Sequence, residues 1–220
     1  MVKIRRTKKK IRFLITAGPT REPIDPVRYL SNRSSGKMGY ALAAAAACHG
    51  RVTLISGPVA LVAPRSVKLI GVETASQMAR VMLRESRKAD VVIQCAAVAD
   101  HRPAHAAKHK VKKTGRPVSL KLVPTTDILF ELGRRKKTGQ VLVGFAAETR
   151  NLRKNALAKL RRKNLDFIVA NPVGKKGAGF ESDLNQAVVF GRNGFEKKFR
   201  RMAKVKLARK LLQVFLAGRY

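Results

Sequence analysis

Residues 14–39, LITAGPTREPIDPVRYLSNRSSGKMG, carry the side chains whose types and spacing suit phosphate chemistry. An apolar run enters a loop crowded with Gly, Pro, Ser, Asn and Arg, which opens onto an Ala-rich helix. A helix N-terminus offers unsatisfied N–H groups and the positive end of a dipole. Ser34, Ser35 and the amides around Gly36 are therefore a candidate phosphate cradle. Lys37 either adds charge there or faces solvent. Asn32 has a donor and an acceptor on one amide, suited to an acyl carbonyl beside a phosphate. Its plain alternative is a turn residue held by local hydrogen bonds. Arg28 can clamp a phosphate or carboxylate bidentately, or be a solvated loop Arg.

Two familiar templates fail on this loop. A P-loop needs Gly where the chain has Ser31 and a hydroxyl where it has Met38. The dinucleotide pattern Gly-x-Gly-x-x-Gly fails because only Gly36 and Gly39 are present. No Ser/His/Asp or Cys/His arrangement stands out. Cys48 and Cys95 lack metal-ligand spacing and read as small buried thiols. His101 is a lone loop histidine.

The charge is abnormal. There are 48 Lys and Arg against 13 Asp and Glu, a formal net charge of +35. Basic clusters fall at 3–12, 108–113, 134–137, 150–163 and 197–210. A phosphate site uses only a few cations, so most of the surplus lies on the surface. It is expected to bind polyanions non-specifically at low salt through counterion release. No helix-turn-helix, zinc-finger or RNP-type pattern accompanies it. No apolar run is long enough to span a bilayer, and no signal-type segment follows the basic N-terminus. The expectation is a cytoplasmic protein without a membrane role.

The elements that must position these residues alternate. IRFLIT (11–16), RVTLIS (51–56), VKLIGV (67–72), DVVIQCA (90–96), VLVGFAA (141–147) and LDFIVAN (165–171) read as buried strands. Helices are expected at 36–49, at 75–87 capped by Thr74, at 127–135, at 150–163 and at 204–216. VSLKLV (118–123) alternates like an exposed or edge strand, and Asn193-Gly194 turns a hairpin between 186–191 and 195–199. Residues 1–10 read as a disordered basic tail and 100–117 as a mobile flap. The pattern predicts one α/β domain over 11–220: a doubly wound, Rossmann-like, mainly parallel sheet with helices on both faces, a flap and a C-terminal hairpin. Ligands bind beyond strand C-termini in such sheets. The signature loop, AAVAD (96–100) and GFAAET (144–149) all follow strand ends, so they are expected to converge.

The signature run, with CAAVADHRPA (95–104), KHKVKK (108–113), GFAAET, RRKNLDFIVAN (161–171) and GAGFESDLN (177–185), resembles phosphopantothenoylcysteine synthetases in content and order. The resemblance implies a ligase that joins 4′-phosphopantothenate to L-cysteine with CTP, through an acyl-cytidylate, releasing pyrophosphate and CMP. It implies that Asn32 acts on the acyl-nucleotide, Arg28 on the acyl or pantothenate side, and Lys110 on the triphosphate from the flap. Lys108, Lys112 and Lys113 are alternatives to Lys110. It assigns CTP contacts to Ala96, Asp100, Thr126, Asp127, Ile128, Leu129, Phe145, Lys159 and Lys163. Thr126 stands where the family has Pro, at the cost of loop stiffness. Lys159 and Lys163, at i and i+4, share a helix face. Asp100 contacts either ribose hydroxyls or a divalent cation such as Mg2+. A homodimer and a flavin-dependent decarboxylase acting on the product are implied partners. The competing readings are an NAD(P)-binding reductase-like protein, disfavoured by the missing glycines, and a non-specific nucleic-acid binder on a retained ligase fold.

Overall fold

A computed structural model describes residues 10–172 and 182–217. Residues 1–9 of the expected tail and the first part of GAGFESDLN lie outside the described residues.

The spine is β1 (Ile11–Ala17), whose side chains alternate between two cores. Phe13 and Ile15 face one layer and Leu14 the other, as a period of two requires. Next come a short pair, β2 (Arg21–Pro23) and β3 (Tyr29–Ser31), and then α1 (Lys37–Ala47). The chain continues through β4 (Gly50–Ser56), β5 (Val67–Gly71), α2 (Ala75–Glu85) and β6 (Val91–Gln94). Thr74 caps α2 as predicted, accepting from the Gln77 amide, while Gln77 Oε1 accepts from the Thr74 amide at 3.2 Å. A second short pair, β7 (His101–Pro103) and β8 (Leu122–Pro124), precedes α3 (Ile128–Arg134). Then follow β9 (Val141–Glu148), α4 (Leu152–Arg162), β10 (Phe167–Pro172), β11 (Leu184–Gly191), β12 (Glu196–Ala203) and α5 (Lys204–Ala217).

The main sheet has eight strands in the order β12-β11-β10-β9-β6-β1-β4-β5. β5 to β10 are parallel, and β11 and β12 extend the sheet as an antiparallel pair. Asn193 and Gly194 turn that hairpin at positive φ, as their types foretold. α1 and α5 pack on the face of Phe13, Ile15, Leu54 and Val143. α2, α3 and α4 pack on the face of Leu14, Ile55, Leu142 and Ile168. Strand order reverses between β1 and β6, and a crevice at such a switch point is where ligands enter this architecture.

Two expectations change. VSLKLV, expected as an exposed or edge strand, pairs only from Leu122, with β7. Alternation says which side chains share a side, but not which edge is open for pairing. Within the segment expected as a flap, the Ala107 amide donates to the Ile24 carbonyl at 2.8 Å, and the Val111 amide to Asp25 Oδ2 at 3.1 Å. Cys48 is exposed, because it is the C-cap of α1 and follows its last buried turn.

Candidate active site

A cavity of about 840 Å³ opens at the C-terminal edge of the sheet. The AAVAD turn that lines it is held in place by threonines. Thr16 is fully buried at the end of β1, and its hydroxyl accepts from the amides of Cys95 at 3.1 Å and Ala96 at 3.0 Å. Thr20 Oγ1 accepts from the Ala99 amide, and Thr125 Oγ1 donates to the Ala99 carbonyl at 2.6 Å. The AAVAD turn is thus fixed from both sides before any ligand arrives. These threonines were not singled out from the sequence, although a hydroxyl at the end of the apolar run IRFLIT was the available signal.

The signature loop forms one wall. Asn32 Nδ2 donates to the Ala97 carbonyl at 3.0 Å, leaving Oδ1 as the acceptor end of the amide. Ser34, Ser35 and Gly36 line the cavity and lead into α1. Gly36 is the N-cap at φ 76°, a left-handed conformation that a side chain would strain. Gly39, one turn on, lets the helix lie against β1: a Cβ there would sit 2.5 Å from the Ala17 Cβ. Lys37 lines the cavity, and its Nζ reaches Asp183 Oδ1 at 2.6 Å.

The opposite wall belongs to α3 and α4. Ala96, Asp100, Thr126, Asp127, Ile128, Leu129 and Phe145 all line the cavity, as do Lys159 and Lys163. Asp127 caps α3, accepting from the Phe130 amide at 3.1 Å. It also receives Lys163 Nζ at 2.9 Å. Lys159 Nζ donates to Glu148 Oε1 at 2.7 Å, and Asn155 donates to the other oxygen at 2.8 Å. Burial pushes Glu148 up, but the bonds from Lys159 and Asn155 outweigh it and hold the carboxyl below its ordinary range.

Two predicted residues stand apart. Arg28 and Lys110 do not line the cavity. Arg28 grips the buried Asp25 carboxylate with Nε at 3.0 Å and a terminal nitrogen at 2.6 Å, and donates to the Val111 carbonyl. Asp25 also accepts from the amides of Val27 and Arg28. The Arg28 bond, with those amides, holds its carboxyl well below the usual range despite burial. In this conformation Arg28 fastens the 104–117 segment, and Lys110 sits exposed upon it.

The sequence reading also missed an inner group on the α1/α5 side: Cys95, Asn171, Asn185 and Lys204. Asn171 and Asn185 end one motif and sit inside another, but amides there are commonplace. Lys204 is indistinguishable in spelling from its neighbours in the basic run 197–210. Burial pushes the Cys95 thiol up to about 12, so it stays neutral on the wall at physiological pH. Among the described residues, no three His, Cys, Asp or Glu gather as a metal cage. No helix among them is long and apolar enough to cross a membrane.

The chain resembles known proteins over nearly its whole length. It is 48% identical over 206 residues to the coenzyme A biosynthesis bifunctional protein CoaBC of Bacillus subtilis, covering 93% of this chain and 50% of that protein. It is 47% identical over 190 residues to CoaBC of Escherichia coli K12, covering 84% of this chain and 47% of that protein. The chain thus spans about half the length of the curated relatives it matches. The crystal structure of a CoaBC C-terminal domain shares the fold with a TM-score of 0.80 and 41% identity, over 95% of this chain and 96% of that chain. A Cab2 mutant in complex with phosphopantothenate-cysteine shares the fold at 15% identity, with a TM-score of 0.79 over 96% of this chain and 87% of that one. The model for the DNA/pantothenate metabolism flavoprotein C-terminal domain matches residues 8–217. The chain belongs to that family.

Proposed function

We propose that this protein is the ligase of coenzyme A biosynthesis that joins 4′-phosphopantothenate to L-cysteine with CTP. The observation that carries the reading is 48% identity over 93% of the chain to a half of CoaBC. It is supported by one cavity lined by thirteen of the fifteen residues chosen from the sequence, Arg28 and Lys110 being the exceptions. In the proposed reaction the substrate carboxylate attacks the α-phosphorus, and the bond to pyrophosphate breaks. The cysteine nitrogen then attacks the acyl carbon, and the acyl carbon–oxygen bond to CMP breaks. Protons from the amine pass to water or to the departing phosphate. The protein needs no nucleophile of its own, only alignment and stabilisation of developing charge. Asn32 Oδ1 and the amides beyond Gly36 suit the acyl-phosphate, and the α3/α4 wall suits the nucleotide.

A divalent cation fits here as the nucleotide's companion. Asp100 offers a hard oxygen ligand on the wall, and Mg2+ typically uses one or two carboxylates with substrate phosphates. Asp100 would hold it, and the ion would neutralise triphosphate charge. We extend the reading to a cytoplasmic homodimer working beside a flavin-dependent decarboxylase that consumes the product.

The test is to mix the protein with phosphopantothenate, L-cysteine and each nucleoside triphosphate in turn, and to identify products by mass. The expected result is phosphopantothenoylcysteine, CMP and pyrophosphate with CTP. No product with any triphosphate overturns the reading, and turnover with ATP alone overturns its CTP part. Asn32→Ala is expected to leave acyl-cytidylate in the mixture. Full turnover with no intermediate removes Asn32 from the second step.

A further inference from the structure

Two arms leave the cavity wall, and one buried carboxylate fastens them together. The first arm is the hairpin of β2 and β3. Its root is held at the site, where the Thr20 amide and Asn32 Nδ2 both donate to the Ala97 carbonyl, at 3.2 and 3.0 Å. It is also held by α2, whose Ala75 amide donates to the buried Glu22 carboxylate at 2.8 Å. Its tip carries Asp25, whose side chain is 0% exposed. The second arm is the flap, which leaves the wall at Asp100 and His101, pairs through β7 and β8, and returns at Thr125. No acidic residue lies between His101 and Thr126, and Lys108, Lys110, Lys112 and Lys113 are all exposed.

Asp25 divides its oxygens between the arms. Oδ1 accepts from the Val27 and Arg28 amides, at 2.9 and 2.8 Å, and so shapes its own turn. Oδ2 accepts from the Arg28 guanidinium and, at 3.1 Å, from the Val111 amide. Arg28 completes the grip by donating to the Val111 carbonyl at 2.9 Å. The pair thus takes the N–H and the C=O of one flap residue, as a neighbouring strand would. Each peptide unit is planar, so holding both groups of Val111 fixes the Cα atoms on either side, those of Lys110 and Lys112. Lys108 and Lys113 lie outside these two planes. Ordering exposed lysines costs backbone entropy, and a cation ordered in advance binds an anion without that cost. We propose that Asp25 is a positioning residue for the nucleotide: through Arg28 and Val111 it presents Lys110 and Lys112 to the triphosphate, from the same frame that holds Asn32. The proposal rests on the ligase reading and deepens it.

Asp25→Asn separates the two jobs of the carboxylate. Its remaining oxygen keeps the turn, while an NH2 in place of Oδ2 meets the donors of Arg28 and Val111 and opens the grip. Trypsin cleavage after Lys110 and Lys112 is scored by mass against cleavage after Arg65, in a separate exposed loop. That ratio is expected to rise about 10-fold in the variant, as the bonds to Val111 are lost. KM for CTP is expected to rise about 10- to 150-fold, the loss of a charge-assisted bond, with KM for phosphopantothenate unchanged. Lys110→Gln in the Asp25→Asn background should add less than about twofold, because a cation already released has little left to lose. Arg116→Gln, farther along the flap, should change neither KM. If Asp25→Asn does not fold, Val111→Pro deletes the donor from an exposed residue and reads the same KM contrast. An unchanged cleavage ratio, a lower kcat with both KM values unchanged, a raised KM for phosphopantothenate instead, or fully additive effects with Lys110→Gln overturns the proposal. Proteolysis needs no substrate, so it tells a failure of the grip from a failure of the ligase reading, which absence of turnover by the wild type would mark.

Discussion

The two sides of the cavity use similar pairs in different surroundings. On the α3/α4 side, Lys159 holds Glu148, whose side chain is 10% exposed, and Lys163 holds the cap Asp127. On the α1/α5 side, Lys37 holds Asp183, whose side chain is 81% exposed. A pair with a buried member organises structure, because removing the cation strands a charge away from water. A pair with an exposed member contributes little and exchanges readily with a ligand's charge. The first side therefore contributes to the fold, and the second contributes little to it.

The largest effect is expected where the two sides meet. Thr16→Val keeps the shape but leaves the Cys95 and Ala96 amides without their acceptor, so urea denaturation should show a loss of about 2–3 kcal/mol. A loss below about 0.5 kcal/mol would mean that the AAVAD turn is held from its other side alone.

The comparison itself is tested by one substitution made twice. Lys159→Met should cost about 1–2 kcal/mol, because the part-buried Glu148 loses its cation. Lys37→Met should stay within about 0.5 kcal/mol, because Asp183 remains in water. Equal costs in the same denaturation assay would erase the distinction drawn here.

A smaller effect is expected on acidification. The folded-state pKa of Glu148 lies below its ordinary value, so its stabilising contribution is complete above about pH 4.3, the unfolded value. It is lost as pH falls through the folded value. The stability gap between the wild type and Glu148→Gln should be constant near neutrality and close below about pH 4. A gap that widens on acidification would reverse the assigned sign.

The weakest effect belongs to the outer surface. With a net charge of +35, the protein should bind mixed-sequence RNA at low salt and release it as salt rises, with a log–log slope of about 0.7 per phosphate neutralised. Binding should also compete with CTP, because Lys159 and Lys163 join the basic helix α4 to the cavity. Sequence-selective binding that survives high salt would instead favour a nucleic-acid role.

Much of this architecture was legible in the sequence. The buried strands, the Thr74 cap and the Asn193-Gly194 turn follow from local rules that depend on neighbours within a few residues. Convergence of the signature loop, AAVAD and GFAAET followed from each lying after a strand end. Arg28 shows where such reasoning stops. Its type suits a substrate phosphate, but its side chain is engaged by Asp25, three residues away, and by the Val111 carbonyl. Nothing local reveals that Asp25 is buried. VSLKLV shows the same limit, since pairing depends on which edge the rest of the sheet leaves open.

By itself, then, the sequence determined the alternation of strands and helices, the phosphate-suited loop, the excess of positive charge and the family to which these motifs belong. Hydrophobic period, turn chemistry and composition are properties of short stretches. Only the tertiary structure decided which lysines matter inside. It buried Lys204 out of a basic run, brought Asn171 from the end of β10 to the cavity, and gave Lys159 and Lys37 different surroundings. The physical reason is that burial and charge pairing depend on distances between residues far apart in the chain, and those distances exist only once the sheet has assembled.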